Sequence, residues 1–264
     1  MKAPENKHVI LIGAGNVATQ LGLALHAAGY KIPQVYSRTI EAASILAKRL
    51  GAEPISSLKI LDPSAAIYII AVKDDVIPAV AAQISLKNKI VVHTSGSADL
   101  KELKKCSENY GVFYPLQSFS RNKKAEFRHI PVCIEANNSS TATSLQYFAR
   151  SISYSVHSVN SKQRSILHLA AVFANNFSNH LFHHSEQLLR KNQLSFNLLT
   201  PLIEETVQKL RSGTPDEMQT GPAIRQDKKV IKKHLELLKK EKSALAIYQL
   251  MTKSIGKSKN KNKL

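Results

Sequence analysis

The sequence predicts an α/β fold, with a doubly wound parallel sheet in the N-terminal part and an all-α domain after it. The chain has 264 residues, which is long enough for two domains. Up to about residue 157, short apolar strands such as "HVILI" (8–12) alternate with amphipathic helices. From about residue 160 no strand pattern remains, and four helical segments follow, with breaks near 192–196, 212–222 and 241–243.

The turn after the first strand has the spacing of a dinucleotide-binding site. "GAGNVA" (13–18) follows that strand and precedes the helix "TQLGLALHAAGY". In this fingerprint Gly13 permits a tight turn, Gly15 lets a pyrophosphate approach the backbone, and Ala18 lets the helix pack on the strand. The helix N-terminus then offers free N–H groups to phosphates. We therefore expect a Rossmann domain whose cofactor contacts include Gly13, Ala14, Gly15, Asn16 and Val17.

The end of the next strand, "KIPQVYSRT" (31–39), indicates which dinucleotide binds. An NAD site normally has an acid here for the ribose 2′-OH, but this chain has no carboxylate before Glu41. Ser37, Arg38 and Thr39 occupy the position instead, and a guanidinium flanked by hydroxyls suits a 2′-phosphate. We therefore expect NADP(H), held through Ser37 and Arg38. The alternative is that Arg38 is a surface residue stacking on adenine.

Polar motifs follow two later strands. Further strands are expected at 65–72, 88–97, 110–120 and 130–137. "HTSGS" (93–97) and "YPLQS" (114–118) come at strand ends, where open α/β sheets bind their ligands. Turn and capping chemistry is the alternative for each motif. We expect Val72, His93 and Thr94 to contact the cofactor, and Ser95 and Gln117 to contact the substrate.

The helix "HLAAVFANNFSNH" (168–180) carries polar groups among apolar ones. At 100° per residue, His168, Asn175, Asn179 and Glu186 lie on one narrow stripe. A stripe facing a wet cleft would make His168 a proton donor and either asparagine an orienting amide. The alternative is polar packing against neighbouring helices or a dimer partner. We name His168, Asn175 and Asn179 as candidate catalytic residues. His180, His183 and His184 point elsewhere, and no metal is expected.

A second polar cluster lies in "MQTGPAIRQD" (218–227), where Gly221–Pro222 precedes a helix start. Such a helix end suits a carboxylate or phosphate, which makes Arg225 a candidate substrate-binding residue. The alternative is a simple helix start with Arg225 in a surface ion pair.

The composition excludes several classes of protein. The net charge of +18 is concentrated in "DKKVIKKHLELLKKEK" (227–242) and "KSIGKSKNKNKL" (253–264). We read these lysines as the solvent face of helices and a disordered tail, and expect no nucleic-acid partner, since there is no Trp and no nucleic-acid module. No apolar run is long enough for a membrane span, the N-terminus has no signal-peptide anatomy, and the two cysteines lack ligand spacing. We expect a cytoplasmic protein.

Six motifs in this order resemble those of a known family. They are "GAGNVA", "HTSGS", "YPLQSFS", "HLAAVFANNFSNH", "LIEETVQKL" and "QTGPAIRQD". The resemblance is to Rossmann-like proteins whose helical C-terminal domain is catalogued as domain of unknown function 2520, and it covers about residues 7–250. Gln226 departs from the family pattern, which has glycine there. The resemblance implies an NADP-type oxidoreductase of the 6-phosphogluconate dehydrogenase-like superfamily that dimerises through its helical domain.

From these observations we expect an NADP-binding domain at 1–157, a helical substrate and dimerisation domain at 158–252, and the disordered tail at 253–264. The expected function is NADPH-dependent reduction of a small carbonyl or imine compound in the inter-domain cleft. Some relatives implied by the resemblance reduce ketopantoate, so a 2-oxo acid is the leading substrate. The alternative is a non-catalytic NADP(H)-binding sensor or scaffold dimer.

Overall fold

A computed structural model describes residues 7–121 and 123–261 of the chain. It divides into two compact units, one ending at Asn176 and the other starting at Phe177. The first contains an eight-stranded sheet and the second is built from helices. In the described part of the chain, no helix has both the length and the apolar character needed to cross a membrane.

Eight strands form the sheet: β1 (Val9–Ile12), β2 (Gln34–Tyr36), β3 (Glu53–Ile55), β4 (Ile67–Ile70), β5 (Ile90–His93), β6 (Asn109–Pro115), β7 (Val132–Ala136) and β8 (Val156–Ser158). Their order is β3-β2-β1-β4-β5-β6-β7-β8. β1 to β6 run parallel, β7 is antiparallel to β6, and β8 is parallel to β7. The order reverses between β1 and β4, where a doubly wound sheet leaves a crevice for ligands.

Helices cover both faces of this sheet. They are α1 (Asn16–Ala27), α2 (Ile40–Leu50), α3 (Ile77–Ala81), α4 (Ser139–Arg150) and α5 (Ser161–Ala171), which a π-helical segment (Val172–Phe177) continues. Alternate residues of β1 enter two different cores: Val9 and Leu11 pack on one face, Ile10 and Ile12 on the other. A strand buried on both faces is typical of parallel sheets. The predicted doubly wound α/β fold is confirmed.

The first unit extends beyond the domain boundary predicted after residue 157. Helix α5 joins this unit because its Arg164 is almost completely buried and pairs with Glu135 of β7. Ser161, at the start of the same helix, also donates a hydrogen bond to Glu135 over 2.5 Å. The first turns of α5 are thereby fixed to the sheet.

The second unit is helical, as predicted. It contains α6 (Ser178–Lys191), α7 (Thr200–Lys209), α8 (Pro222–Arg225), α9 (Lys228–Leu237) and α10 (Lys242–Lys261). His234 of α9 and Tyr248 of α10 are hydrogen-bonded over 2.8 Å. Within residues 177–257, Leu238 is the only buried residue. The expectation of a disordered tail is corrected, since α10 continues to Lys261; residues 262–264 lie outside the described part.

Candidate active site

The two glycines of the turn after β1 have different structural roles. Gly13 has φ of 128°, and a Cβ on it would lie 2.2 Å from the backbone oxygen of Ala71, so only glycine fits. Val72 also lines that side, 3.4 Å from the same position. A Cβ on Gly15 would meet no atom within 4 Å, so the space before it is open. A backbone that is tightly packed on one side and open on the other fits a pyrophosphate.

The start of helix α1 offers hydrogen-bond donors to an anion. Gly15 is the N-cap residue, no side chain caps the helix, and its first turn contains no acid. The first N–H groups of a helix have no partner within the helix, and the helix dipole makes this end positive. Asn16 is exposed and Val17 is half-buried beside these groups. NADP(H) would lie with its phosphates at this helix end.

The predicted 2′-phosphate site lies beside this turn. β1 and β2 are parallel with Ile12 opposite Tyr36, and the Gly13 N–H donates to the Tyr36 carbonyl over 2.8 Å. Ser37 and Arg38, which come next in the chain, therefore flank the glycine turn. Arg38 is exposed, and within the described ranges its guanidinium has no ion pair. An exposed, unneutralised guanidinium fits the 2′-phosphate of NADP(H).

The end of β5 is buried. His93 has 0% exposure, and its Nδ1 accepts the Ser95 N–H over 3.2 Å. Burial, together with the nearby Arg164 charge, lowers the pKa of His93 to about 4, so its ring is neutral. Thr94 is also buried. The predicted cofactor contacts of His93 and Thr94 stay predictions.

Ser95 makes hydrogen bonds within the turn. It is buried, and its hydroxyl oxygen accepts the N–H groups of Ser97 and Ala98 over 3.0 and 2.9 Å. Ser97 in turn donates to Asp74 over 2.5 Å. These bonds fit the alternative interpretation of the motif, turn chemistry, and substrate binding by Ser95 stays a prediction.

Three motifs that are distant in the sequence meet at His168. Its Nδ1 lies 3.0 Å from the hydroxyl of Tyr114 at the end of β6, and the two rings meet edge to face. Gly96 lies against the same ring, because a Cβ there would come within 2.6 Å of His168 Nδ1. Burial raises the pKa of Tyr114, so its hydroxyl keeps its proton at neutral pH. The Tyr114 hydroxyl can therefore donate to Nδ1 or accept from Nδ1–H, and in both cases Nε2 is left for another partner.

One helical turn earlier, Arg164 fixes α5 to the turn that contains Gly96. Its guanidinium, 1% exposed, donates to the Glu135 carboxylate over 3.0 Å. It also donates to the backbone oxygens of Ser95 and Ala98, over 3.1 and 2.9 Å. Sequence reasoning missed Arg164; a lone arginine on the first turn of a helix, four residues before a candidate catalytic histidine, was the available signal.

A cavity of about 500 Å³ opens beside His168 within the first unit. Its polar side chains belong to Tyr114, Gln117, Ser118, His168, Asn175 and Asn176, and the rest of its lining is apolar. The structure thus brings together three predicted residues: Gln117, His168 and Asn175. It adds Tyr114, Ser118 and Asn176, which were not among the predicted site residues. Tyr114 is the first residue of the "YPLQS" motif and could have been considered on that ground.

The predicted helical stripe ends at the π-helical segment. A π turn contains one residue more than an α turn, so the spacing of 100° per residue does not apply from Val172 to Phe177. The alignment of Asn179 and Glu186 with His168 stays a prediction. The helix is also largely exposed rather than buried, with Arg164 the only buried residue of α5. Asn179 and Arg225 belong to the second unit, and their roles remain predictions.

Histidines on α6 form a separate cluster. His180 and His184 have their Nε2 atoms 3.2 Å apart, and burial together with the neighbouring histidines lowers the pKa of His184. Among the described residues, no group of three or more histidine, cysteine or acidic side chains has the geometry to hold a metal ion.

Comparison with known proteins identifies both parts of the chain. Residues 8–96 match the family "NADP oxidoreductase coenzyme F420-dependent", and residues 130–255 match "Domain of unknown function (DUF2520)". None of the curated proteins matches the chain.

Solved structures resemble the chain over nearly its full length. A Bacteroides fragilis protein described as a candidate NADP oxidoreductase is 39% identical, with a TM-score of 0.87 over 95% of this chain and 98% of its own. A reductive aminase from Aspergillus terreus, solved with NADPH and ethyl-5-oxohexanoate, is 13% identical, with a TM-score of 0.73 over 96% and 94%. A 1-pyrroline-5-carboxylate reductase from Streptococcus pyogenes is 14% identical, with a TM-score of 0.66 over 94% and 98%. The last two likenesses show the fold alone.

The resemblance inferred from the six motifs is confirmed, and with it NADP(H) as the cofactor. Because the Bacteroides fragilis protein is 39% identical over almost the whole of both chains, this chain belongs to its family, the NADP oxidoreductases in which an F420-dependent-type nucleotide domain precedes a DUF2520 domain.

Proposed function

We propose that this NADP-dependent oxidoreductase reduces the C=O or C=N bond of a small molecule bound in the cavity beside His168. The single observation that carries the proposal is the hydrogen-bonded His168–Tyr114 pair on the wall of a cavity of about 500 Å³. When bound, NADPH supplies the hydride. The protein must then supply a proton, a group to orient the substrate and shelter from bulk water.

His168 is the proton donor in this proposal. Its Nδ1 is engaged by Tyr114, and no protein partner within the described residues occupies its Nε2. His168 acts in its protonated form: as the hydride arrives, Nε2–H passes its proton to the oxygen or nitrogen of the substrate, and the ring is left neutral. Throughout this step Nδ1–H donates to the hydroxyl oxygen of Tyr114, which holds the ring in orientation. Asn175 and Gln117 orient the reacting bond through their amides.

The chemistry of the cavity lining bears on the substrate class. Its polar groups are amides, hydroxyls and the imidazole, and none of the described residues that line it is a lysine or arginine. A lining of this kind favours a carbonyl or imine compound with apolar flanks over a free 2-oxo acid such as ketopantoate, whose carboxylate would need a cation. Arg225, which the sequence predicts as a substrate-binding residue, belongs to the second unit. The names of two structural neighbours, a reductive aminase and 1-pyrroline-5-carboxylate reductase, also support C=N reduction.

The test is NADPH oxidation against a panel of cyclic imines, ketones with and without an amine, and 2-oxo acids. We expect His168→Ala to lower kcat by about 10²- to 10⁴-fold, the usual contribution of a general acid, and to leave NADPH affinity unchanged. His26→Ala, an exposed histidine on α1, is the matched control. Equal turnover by wild type and His168→Ala would remove His168 from the chemistry. NADPH binding without turnover on the whole panel would favour a sensor or scaffold.

We also infer that the second unit pairs with a second copy of the chain. Many of its large apolar side chains are exposed, among them Leu198, Leu202, Val207 and Leu250. Exposed apolar side chains in this number are typical of surfaces that a partner covers. Sedimentation should give a dimer for the wild type and a smaller species for Leu202→Glu; a monomeric wild type would contradict the inference.

A further inference from the structure

The segment after β6 returns to the glycine turn, and α1 itself holds it there. Asn16 donates to the Phe119 carbonyl over 3.0 Å. The buried amide of Gln20 donates to the carbonyls of Ser120 and Lys123 over 2.6 and 3.0 Å, and its oxygen accepts the Ala125 N–H over 3.0 Å. These four bonds join the first turns of α1 to a segment about a hundred residues away in the chain.

This anchoring brings the guanidinium of Arg121 to the glycine turn. Its Nη2 donates to the carbonyl of Ala14, between the two glycines, over 3.0 Å. A guanidinium has five N–H donors. Across residues 7–121 and 123–261, the structure gives that of Arg121 this one hydrogen bond and no ion pair with an acid. Its side chain is exposed, so its other donors are accessible.

The charge has no structural use at this position. A single bond from an exposed arginine to a carbonyl contributes little to stability. The surroundings favour an anion: the first turn of α1 has no acid, its N–H groups are uncapped, and the space in front of Gly15 is open. The anion of NADP(H) that lies at this turn in Rossmann domains is the pyrophosphate.

We infer that Arg121 is a pyrophosphate ligand of NADP(H), donating to it from the guanidinium N–H groups that Ala14 does not use. The two arginines beside the cofactor then have separate functions. Arg38, at the end of β2, recognises the 2′-phosphate that only NADP(H) carries. Arg121 recognises the pyrophosphate that NADP(H) and NAD(H) share. The inference concerns binding and does not depend on the proposed substrate or proton donor.

Calorimetric titration of the full-length protein with NADPH and with NADH separates these functions. We expect Arg121→Ala to weaken the binding of NADPH and of NADH by the same factor, about tenfold, as for the loss of one charge-assisted hydrogen bond. Arg121→Lys should fall between, because it keeps the charge and loses the planar fork. Arg38→Ala should weaken NADPH and leave NADH unchanged. Lys124→Ala, an exposed lysine in the same segment, should change neither by more than about twofold.

Three results would overturn the inference. If Arg121→Ala leaves both affinities within twofold of the wild type, Arg121 does not bind the cofactor. If it weakens NADPH alone, its partner is the 2′-phosphate rather than the pyrophosphate. Thermal denaturation of each variant without ligand tests whether equal losses of NADPH and NADH affinity come from a lost contact rather than from a destabilised fold. A large fall in Tm for Arg121→Ala alone would assign the residue a structural role.

Discussion

Replacing Arg164 with alanine tests whether the candidate active site depends on a buried ion pair. Arg164 is 1% exposed and its partner Glu135 is 10% exposed. The guanidinium also satisfies two backbone carbonyls, those of Ser95 and Ala98. The substitution therefore removes three hydrogen bonds at once. It leaves a nearly buried carboxylate without its cation, with the Ser161 hydroxyl still donating to it, and two carbonyls without the guanidinium.

The expected cost follows from that geometry. Hydrogen bonds to charged groups contribute about 1.5–3 kcal/mol each, but the desolvation of the guanidinium offsets part of the sum. Breaking a buried pair by removing one partner costs about 3–5 kcal/mol. We expect Arg164→Ala to lower the free energy of unfolding by about 4 kcal/mol, which is close to a thousandfold change in the unfolding equilibrium constant. Replacing both members, as in Arg164→Met with Glu135→Leu, should cost much less, since no charge remains buried and unpaired.

Urea unfolding followed by circular dichroism measures the loss of stability in Arg164→Ala. Hydrogen exchange over residues 161–171 shows whether α5 is the part that is destabilised. The control is Arg128→Ala, an exposed arginine whose guanidinium lies 5.3 Å from the ring of Tyr154; it should cost no more than about 1 kcal/mol. A loss below about 1 kcal/mol for Arg164→Ala would refute the reasoning. The ion pair would then be balanced by its own desolvation, and α5 would be held by other contacts.

Three further predictions concern single positions. Burial lowers the pKa of His93 from 6.5 to about 4, so between these pH values the unfolded chain binds a proton that the folded chain does not. The free energy of unfolding should therefore fall by roughly 3 kcal/mol as the pH drops from 6.5 to 4. Urea unfolding should show this pH dependence for the wild type and not for His93→Asn; the same slope for both would contradict the prediction. Gln226 has a left-handed backbone conformation with φ of 57°, which glycine adopts without strain. Gln226→Gly should therefore raise the free energy of unfolding by about 1 kcal/mol. A lower Tm for this variant than for the wild type would count against strain at this position. A methyl group at Gly96 would collide with the His168 ring. Gly96→Ala should therefore shift the imidazole NMR signals of His168 and lower turnover by about 10²-fold, while NADPH still binds. Unshifted signals would show that the methyl group is accommodated without moving the ring.

Much of the fold could be predicted from the sequence because long apolar segments carry a strong periodic signal. β1, β4 and β5 are buried on both faces and appear as continuous apolar runs. The elements that were missed have weak signals. β3 and β8 are three-residue strands at the sheet edges, "EPI" and "VHS", and α4 begins with the polar run "SSTATS". Neighbouring strands and an Asn138 cap, rather than periodicity, determine these elements.

Less of the candidate site was predictable, for two physical reasons. The predicted stripe assumes 3.6 residues per turn, and the π-helical segment that begins at Val172 breaks that assumption. The contacts that orient the site are also long-range: Tyr114 reaches His168 across 54 positions in the sequence, and Arg164 reaches Ser95 across 69. Spacing shows which residues share one helix face, but not which residue of another strand meets that face.

The two halves of the proposed site are built from different elements, and this has a measurable consequence. Arg121 and Arg38 lie at the ends of segments that surround the glycine turn, whereas Tyr114 and Gly96 hold the ring of His168 from two other strand ends. Tyr114 and Arg121 share no hydrogen-bond partner among the described residues. Substitutions without shared partners normally have additive effects. The double variant Tyr114→Phe with Arg121→Ala should therefore show the NADPH affinity of one parent and the kcat of the other. A coupling above about 1 kcal/mol between them would mean that the cofactor and the imidazole are positioned by one network rather than two.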